Sequence, residues 1–207
     1  VVSSILARLK KRKLKHLSYA VVANYAPDTS YNGKSIEQIN LMKGRKHKAK
    51  LEAETVIDLM MNGGASAVFH GMSEEDVKRI MQYPFNMIAS DASIRVLGAG
   101  MPHPRGYGTN ARVLAKYVRE EKVISLEEAI RRMTSLPAQK FQLKDRGLLR
   151  EGMAADIVIF DEKEISTFEK PHAYSKGFHF VIVNGVLTVE NEKHLGVRAG
   201  RALRNNL

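Results

Sequence analysis

Between Ala65 and Ala89 two short apolar runs flank one well-capped helix, and that succession constrains the fold more than any other feature of the chain. Residues 65–70 and 85–89 have the length of buried strands, and residues 73–82 read as the helix between them. Ser73 followed by Glu74, Glu75 and Asp76 is a helix start: the hydroxyl caps free amides, and the acids complement the positive helix end. Strand, helix and strand in that order form the βαβ unit of a parallel sheet, because parallel strands need a long crossover. An α/β fold is expected.

The flanking segments extend this pattern. Residues 2–13 read as a helix, 17–23 as a buried strand and 26–33 as a turn-rich loop, followed by helices at 35–42 and 48–61 that Gly63 and Gly64 end. After Asp91 comes a Gly- and Pro-rich stretch at 98–108, too specialised for a plain connector, and then an amphipathic helix at 109–121. Ser125 opens another helix that runs to about Ser135, where Pro137 is expected to stop it. Beyond Arg150 the period changes to short strands at 156–160, 180–183 and 186–189. Asn184-Gly185 between the last two is a hairpin signal.

With 207 residues and 44% hydrophobic content, the chain can bury one large domain, or one domain and a small appendage. No stretch reaches the roughly 20 apolar residues of a membrane helix, and Val1-Val2-Ser3-Ser4 does not lead into a signal-peptide core, so no membrane partner and a cytoplasmic location are expected. Cysteine is absent, which excludes disulfides and thiolate nucleophiles and leaves His, Asp and Glu as the strong metal ligands. The net charge of +11 is concentrated: residues 1–50 hold 12 Lys or Arg against 2 acids, and the rest hold 21 against 20. The run from Arg8 to Lys15 could grip phosphates. No aromatic residues interleave with its charges, so it is read as the solvated face of a helix whose Ile5, Leu6 and Leu9 turn inward, and no nucleic-acid partner is expected.

The sharpest local feature is Met87-Ile88-Ala89-Ser90-Asp91, a carboxylate ending the expected buried parallel strand just before a long loop. Functional residues of barrels gather at that end of the strands, which makes Asp91 a candidate for catalysis or metal binding; an Asp capping the next element is the plainer reading. His103-Pro104-Arg105-Gly106-Tyr107-Gly108 follows. Arg105 there could hold a planar carboxylate through two parallel hydrogen bonds, a geometry that lysine cannot reproduce.

Ser90-Asp91, the His103–Gly108 hexapeptide, Arg112-Val113-Leu114 with Tyr117-Val118-Arg119-Glu120, and Met133-Thr134-Ser135-Leu136-Pro137-Ala138 together resemble the N-acyl-D-amino-acid deacylase (D-aminoacylase) family of the amidohydrolase superfamily. The run from Arg146 to Asp161 and Val183-Asn184-Gly185 resemble that superfamily's return from barrel to β-sandwich, and the likeness extends in order from about Tyr25 to Arg204. The resemblance implies the C-terminal part of a (β/α)8 TIM barrel over residues 1–145, with a helical insertion at about 30–64, and strands of a small β-sandwich over 146–207. It implies zinc as cofactor of the complete protein and an N-acyl-D-amino acid as the small-molecule substrate. Asp91 matches the family aspartate that binds metal and shuttles a proton from water to the leaving amine. Arg105 matches the arginine that pairs with the substrate carboxylate, His103 its loop neighbour, which positions Arg105 or the backbone, and Tyr25 a substrate-binding tyrosine at looser spacing. The insertion resembles a lid over the active site.

Two departures stand out. Ala92 replaces the glycine that usually follows Ser-Asp, and the family's other metal ligands have no counterpart here. The chain is therefore expected to be a fragment, a truncated frame or one part of a split enzyme, inactive alone and completed by the missing N-terminal half or by another copy. His70 either lines the pocket or is merely polar at a strand end. His16, His47, His172, His179 and His194 are scattered singly, with no pair at zinc-motif spacing, so a zinc site built from this chain alone is not expected. Two alternatives stay open: an amidohydrolase for cyclic amides such as hydantoins or dihydropyrimidines, and a non-catalytic interaction module.

Overall fold

Ser35, Ser73 and Ser125 open helices α2 (Ile36–Met42), α4 (Glu74–Met81) and α6 (Leu126–Met133) in the computed structural model, which describes residues 1–94, 96–98, 102–166 and 172–203. Each hydroxyl accepts a backbone N–H of the first turn, at 3.2 Å for Gln38, 3.4 Å for Asp76 and 3.2 Å for Glu128. Gln38 answers by accepting the Ser35 N–H at 2.9 Å, a complete capping box. Residues 99–101 of the Gly- and Pro-rich stretch, and Arg204, lie outside the described residues.

The chain divides into two units, Val1–Met72 with the 95–103 stretch, and residues 73–94 with 104–207. In the first, α1 (Val2–Lys11) buries Leu9 and partly buries Ile5 and Leu6, as its spacing predicts. Arg8, Lys10 and Lys11 in the last turn sit at the negative end of the helix dipole. The core adds Leu17, Ala20 and Val22 around β1 (Ala20–Asn24), Ile36 and Ile39 of α2 and Leu59 of α3 (Ala49–Met61). Burying each branched aliphatic chain contributes about 1.5–3 kcal/mol. Within the turn-rich loop expected at 26–33, Thr29–Tyr31 form a 3-10 turn capped by Asp28.

The sheet of this unit corrects the parallel βαβ expectation. β2 (Ser66–Phe69) pairs antiparallel with β1, Ala20 opposite Phe69. A parallel strand is covered on both faces, whereas Ser66, Ala67 and Phe69 are exposed. The second strand expected at residues 85–89 does not form: Phe85 is exposed, and the Ile88 N–H donates to the Arg132 carbonyl at 3.2 Å rather than to a strand neighbour. The described residues thus form a mixed α/β arrangement with no closed barrel.

In the second unit α5 (Arg105–Arg112) starts earlier than expected, within the supposed loop, and continues as a π-helical stretch at Val113–Glu120. Its Ala111, Val113, Leu114, Ala115, Tyr117 and Val118 form the core with Met81 of α4 and Ala129 of α6. Pro137 does not stop the polypeptide's helical course. The break comes at Thr134, and Pro137 sits in the first turn of α7 (Ser135–Lys140), where its missing N–H costs nothing. The predicted strands appear as β3 (Ile157–Phe160), β4 (Phe178–Val183) and β5 (Val186–Glu190), joined by an unforeseen β6 (Lys193–His194). They make one antiparallel sheet in the order β3-β4-β5-β6, a single layer among the described residues. Phe160 and Phe178 pack it against the helical core.

Asn184 (φ 50°) and Gly185 (φ 81°) form the β4–β5 turn, both in the left-handed region that a two-residue hairpin of this kind requires. Asp156 accepts the Asn184 N–H at 2.8 Å, and Arg146 bonds both Asp156 and, at 2.6 Å, the Asn184 side chain. Burial opposes ionisation of Asp156, but the Asn184 amide and Arg146 outweigh it and hold the carboxyl below its usual range.

Candidate active site

Asp91 follows α4 through a stretch without regular secondary structure, held by Arg132. The Arg132 guanidinium, 2% exposed, donates to Glu128 at 2.7 Å, to Asn86 Oδ1 at 2.6 Å and to the Met81 carbonyl. With the Arg132 carbonyl accepting from Ile88, one residue of α6 clamps both ends of residues 81–88, three positions short of Asp91. Glu128 is pushed down to about 2 by hydrogen bonds from Arg131 and Arg132, so the clamp is an ion pair above strongly acid pH.

Asp91 has φ 48°, a left-handed conformation that short polar side chains tolerate. Ala92, where a glycine is usual in the resembled family, carries no positive φ, so the local backbone does not demand glycine at that position. Gly106 lies close to it: a Cβ added there would stand 3.6 Å from the Ala92 methyl. Arg105 opens α5, and its guanidinium reaches Asp91 Oδ2 at 3.1 Å. The pair is open to solvent, Arg105 at 46% and Asp91 at 86% exposure, unlike the closed ion pair at Arg132. A carboxylate and a guanidinium so placed can exchange each other for a charged ligand at small cost, since exposed ion pairs contribute only about 0–1 kcal/mol.

The other expected site residues belong to the first unit. Tyr25 is buried after β1; its hydroxyl donates to the Asn62 carbonyl at 3.0 Å and its ring stacks on Tyr31 at 5.8 Å. His103 is exposed. His70 follows β2 in an exposed position, its backbone N–H donating to the Tyr19 carbonyl at 2.8 Å. Tyr107, not singled out from sequence, stands two residues beyond Arg105 with its ring edge-on to His172 and Tyr174 at 6.1 and 6.0 Å. No local signal marks it, because its ring partners His172 and Tyr174 are remote in the chain.

Asp91 belongs to no cluster of three His, Asp or Glu side chains near enough to share an ion among the described residues; the cluster that qualifies is His16, Glu37, His47 and Glu52 of the first unit. Zinc takes three or four protein ligands. The donors beside Asp91 therefore do not fit a zinc ion.

Residues 29–189 match the model of the amidohydrolase family. The chain belongs to that family. N-acyl-D-aspartate deacylase of Alcaligenes xylosoxydans xylosoxydans is 39% identical over 142 residues, covering 67% of the amidohydrolase chain and 28% of the relative. A solved D-aminoacylase, described by its binuclear metal centre, superposes with a TM-score of 0.78 at 30% identity, over 99% of this chain and 45% of its own. An N-acyl-D-glutamate deacylase from Bordetella bronchiseptica, solved with zinc and a phosphonate mimic of the tetrahedral intermediate, superposes with a TM-score of 0.71 at 32% identity, over 83% of this chain and 35% of its own. The amidohydrolase chain spans less than half the length of each of these relatives.

Proposed function

We propose that the complete protein containing this chain hydrolyses the amide bond of N-acyl-D-amino acids. The observation that carries this reading is the solvent-open contact of 3.1 Å between Asp91 and Arg105. Arg105 is assigned to the α-carboxylate of the substrate, which it would grip through two parallel hydrogen bonds. Asp91, released from Arg105 as the substrate carboxylate takes its place, is assigned to accept a proton from the attacking water and deliver it to the leaving amine nitrogen. The solved relatives that hold zinc or a binuclear centre support zinc as cofactor of the complete protein. Asp91 is assigned as one of its donors, the others would lie outside these 207 residues, and no step is routed through the ion. The division into a barrel part at 1–145 and a sandwich segment at 146–207, and substrate contacts for Tyr25 and His103, belong to the same proposal.

In the complete protein, Asp91→Asn is expected to abolish turnover of N-acyl-D-amino acids with zinc content unchanged. Arg105→Lys is expected to raise KM for these substrates while leaving any hydantoin turnover untouched, because a cyclic amide offers no free carboxylate. Full activity in Asp91→Asn, or hydantoins turned over faster than acyl amino acids, would overturn the proposal.

A further inference from the structure

The first unit gathers four chemistry-bearing side chains that the proposed reaction does not use. His16 lies in the turn before β1, Glu37 in α2, His47 in the connection from α2 to α3, and Glu52 in the first turn of α3. One ligand-capable atom from each falls within 4.8 Å of all the others. His16 Nδ1 is 2.6 Å from Glu52 Oε1, and His47 Nε2 is 2.5 Å from Glu37 Oε1 and 3.8 Å from Glu52 Oε1. The two imidazoles stack with centroids 3.8 Å apart and planes 21° from parallel. Glu52 is fully buried, and its second oxygen accepts the Leu17 N–H at 2.7 Å.

Charge balance decides what this cluster suits. Two carboxylates bring two negative charges, one of them fully withdrawn from water, and a buried carboxylate is costly unless compensated. Two imidazolium ions would neutralise them only by placing like charges face to face at stacking distance. One divalent cation neutralises the pair and leaves both imidazoles neutral, the form in which they coordinate. We propose that His16, Glu37, His47 and Glu52 form a divalent transition-metal site that takes zinc and fastens α2 and α3 to the turn entering β1. Mixed nitrogen and oxygen donors suit zinc, whereas magnesium and calcium prefer oxygen alone.

Ligand bonds of about 2.0–2.2 Å place tetrahedral donors about 3.3–3.6 Å apart. The two short His–Glu contacts must therefore lengthen by about 1 Å and the widest separation close by about as much. His47, at 48% side-chain exposure, is free to turn its ring out of the stack, while buried Glu52 supplies the fixed point. The inference is independent of the deacylase reading, since Asp91 and Arg105 take no part in it.

The full chain, stripped with a chelator and dialysed against zinc, is expected to retain one zinc ion by elemental analysis. Loading with cobalt should give the visible absorption of a low-symmetry, four-coordinate ion. His47→Gln, at a half-exposed position, should weaken zinc binding by more than about 100-fold, beyond the usual cost of losing an outer-shell partner. Glu37→Gln should do likewise, and Asp91→Asn should leave binding unchanged, with far-UV circular dichroism confirming that each variant is folded. A wild-type chain that retains no zinc would overturn the inference. So would folded His47→Gln and Glu37→Gln variants that bind as tightly as wild type, or zinc displaced by an equal concentration of magnesium.

Discussion

Glu128 is the anion that makes the buried Arg132 tolerable, and its removal should be felt along the segment that leads to Asp91. A carboxyl lowered from 4.5 to about 2 corresponds to about 3 kcal/mol of preferential interaction with its two arginines. About a quarter of the side chain is exposed, at 27%, so solvent screening reduces the realised contribution to about 2 kcal/mol. Truncation adds a second cost, because Arg131 can swing into water but Arg132, 2% exposed, cannot. Breaking a buried pair from one side costs about 3–5 kcal/mol, and Glu128→Ala is expected to fall in that range. The pH dependence has a definite sign. The folded pKa lies below the unfolded one, so the contribution is complete above about pH 4.5 and fades as the pH falls toward about 2. Urea unfolding followed by far-UV circular dichroism near neutral pH, and repeated down through that window, measures both effects. Glu128→Gln should also flatten the acid loss of stability seen in the wild type. A Glu128→Ala change of less than about 0.5 kcal/mol, the scale of an ordinary surface substitution, would refute the idea that Arg132 depends on this partner.

Two further substitutions test the packing. Gly177 has φ 81°, and an added Cβ would meet Ile165 N at 2.5 Å; Gly177→Ala should therefore cost about 3 kcal/mol in denaturant unfolding, from left-handed strain of about 1–2 kcal/mol and backbone crowding of about 1–3 kcal/mol. Tyr25→Phe removes the hydroxyl that serves the Asn62 carbonyl and should lower stability by about 1 kcal/mol, read from the urea midpoint at constant slope.

Much of the helical structure was legible because its signals are local. Ser35, Ser73 and Ser125 cap within three residues of themselves, the Ile5, Leu6 and Leu9 stripe turns inward on α1, and Asn184-Gly185 supplies the positive φ values of its own turn. The sheet was less legible. An apolar run such as residues 85–89 carries no information about which edge is available to pair with it, and here Arg132 supplies a partner in place of a strand. Proline misled for a similar reason: Pro137 stops a helix it sits within, but it can equally begin one, and only the break at Thr134 distinguishes the two.

The chain's order of residues by itself determined the family, through motifs such as Ser90-Asp91 and His103–Gly108 read as a string, and with it the candidate pair Asp91 and Arg105. Tertiary structure alone decided that those two side chains meet in an open contact, that β1 and β2 run antiparallel, and that His16 and His47 lie face to face beside a buried Glu52. The difference is physical. Capping, turn geometry and amphipathic spacing act over a few residues, whereas the meeting of His16 with Glu52 across 36 positions depends on how α1, α2 and α3 bury their apolar faces together.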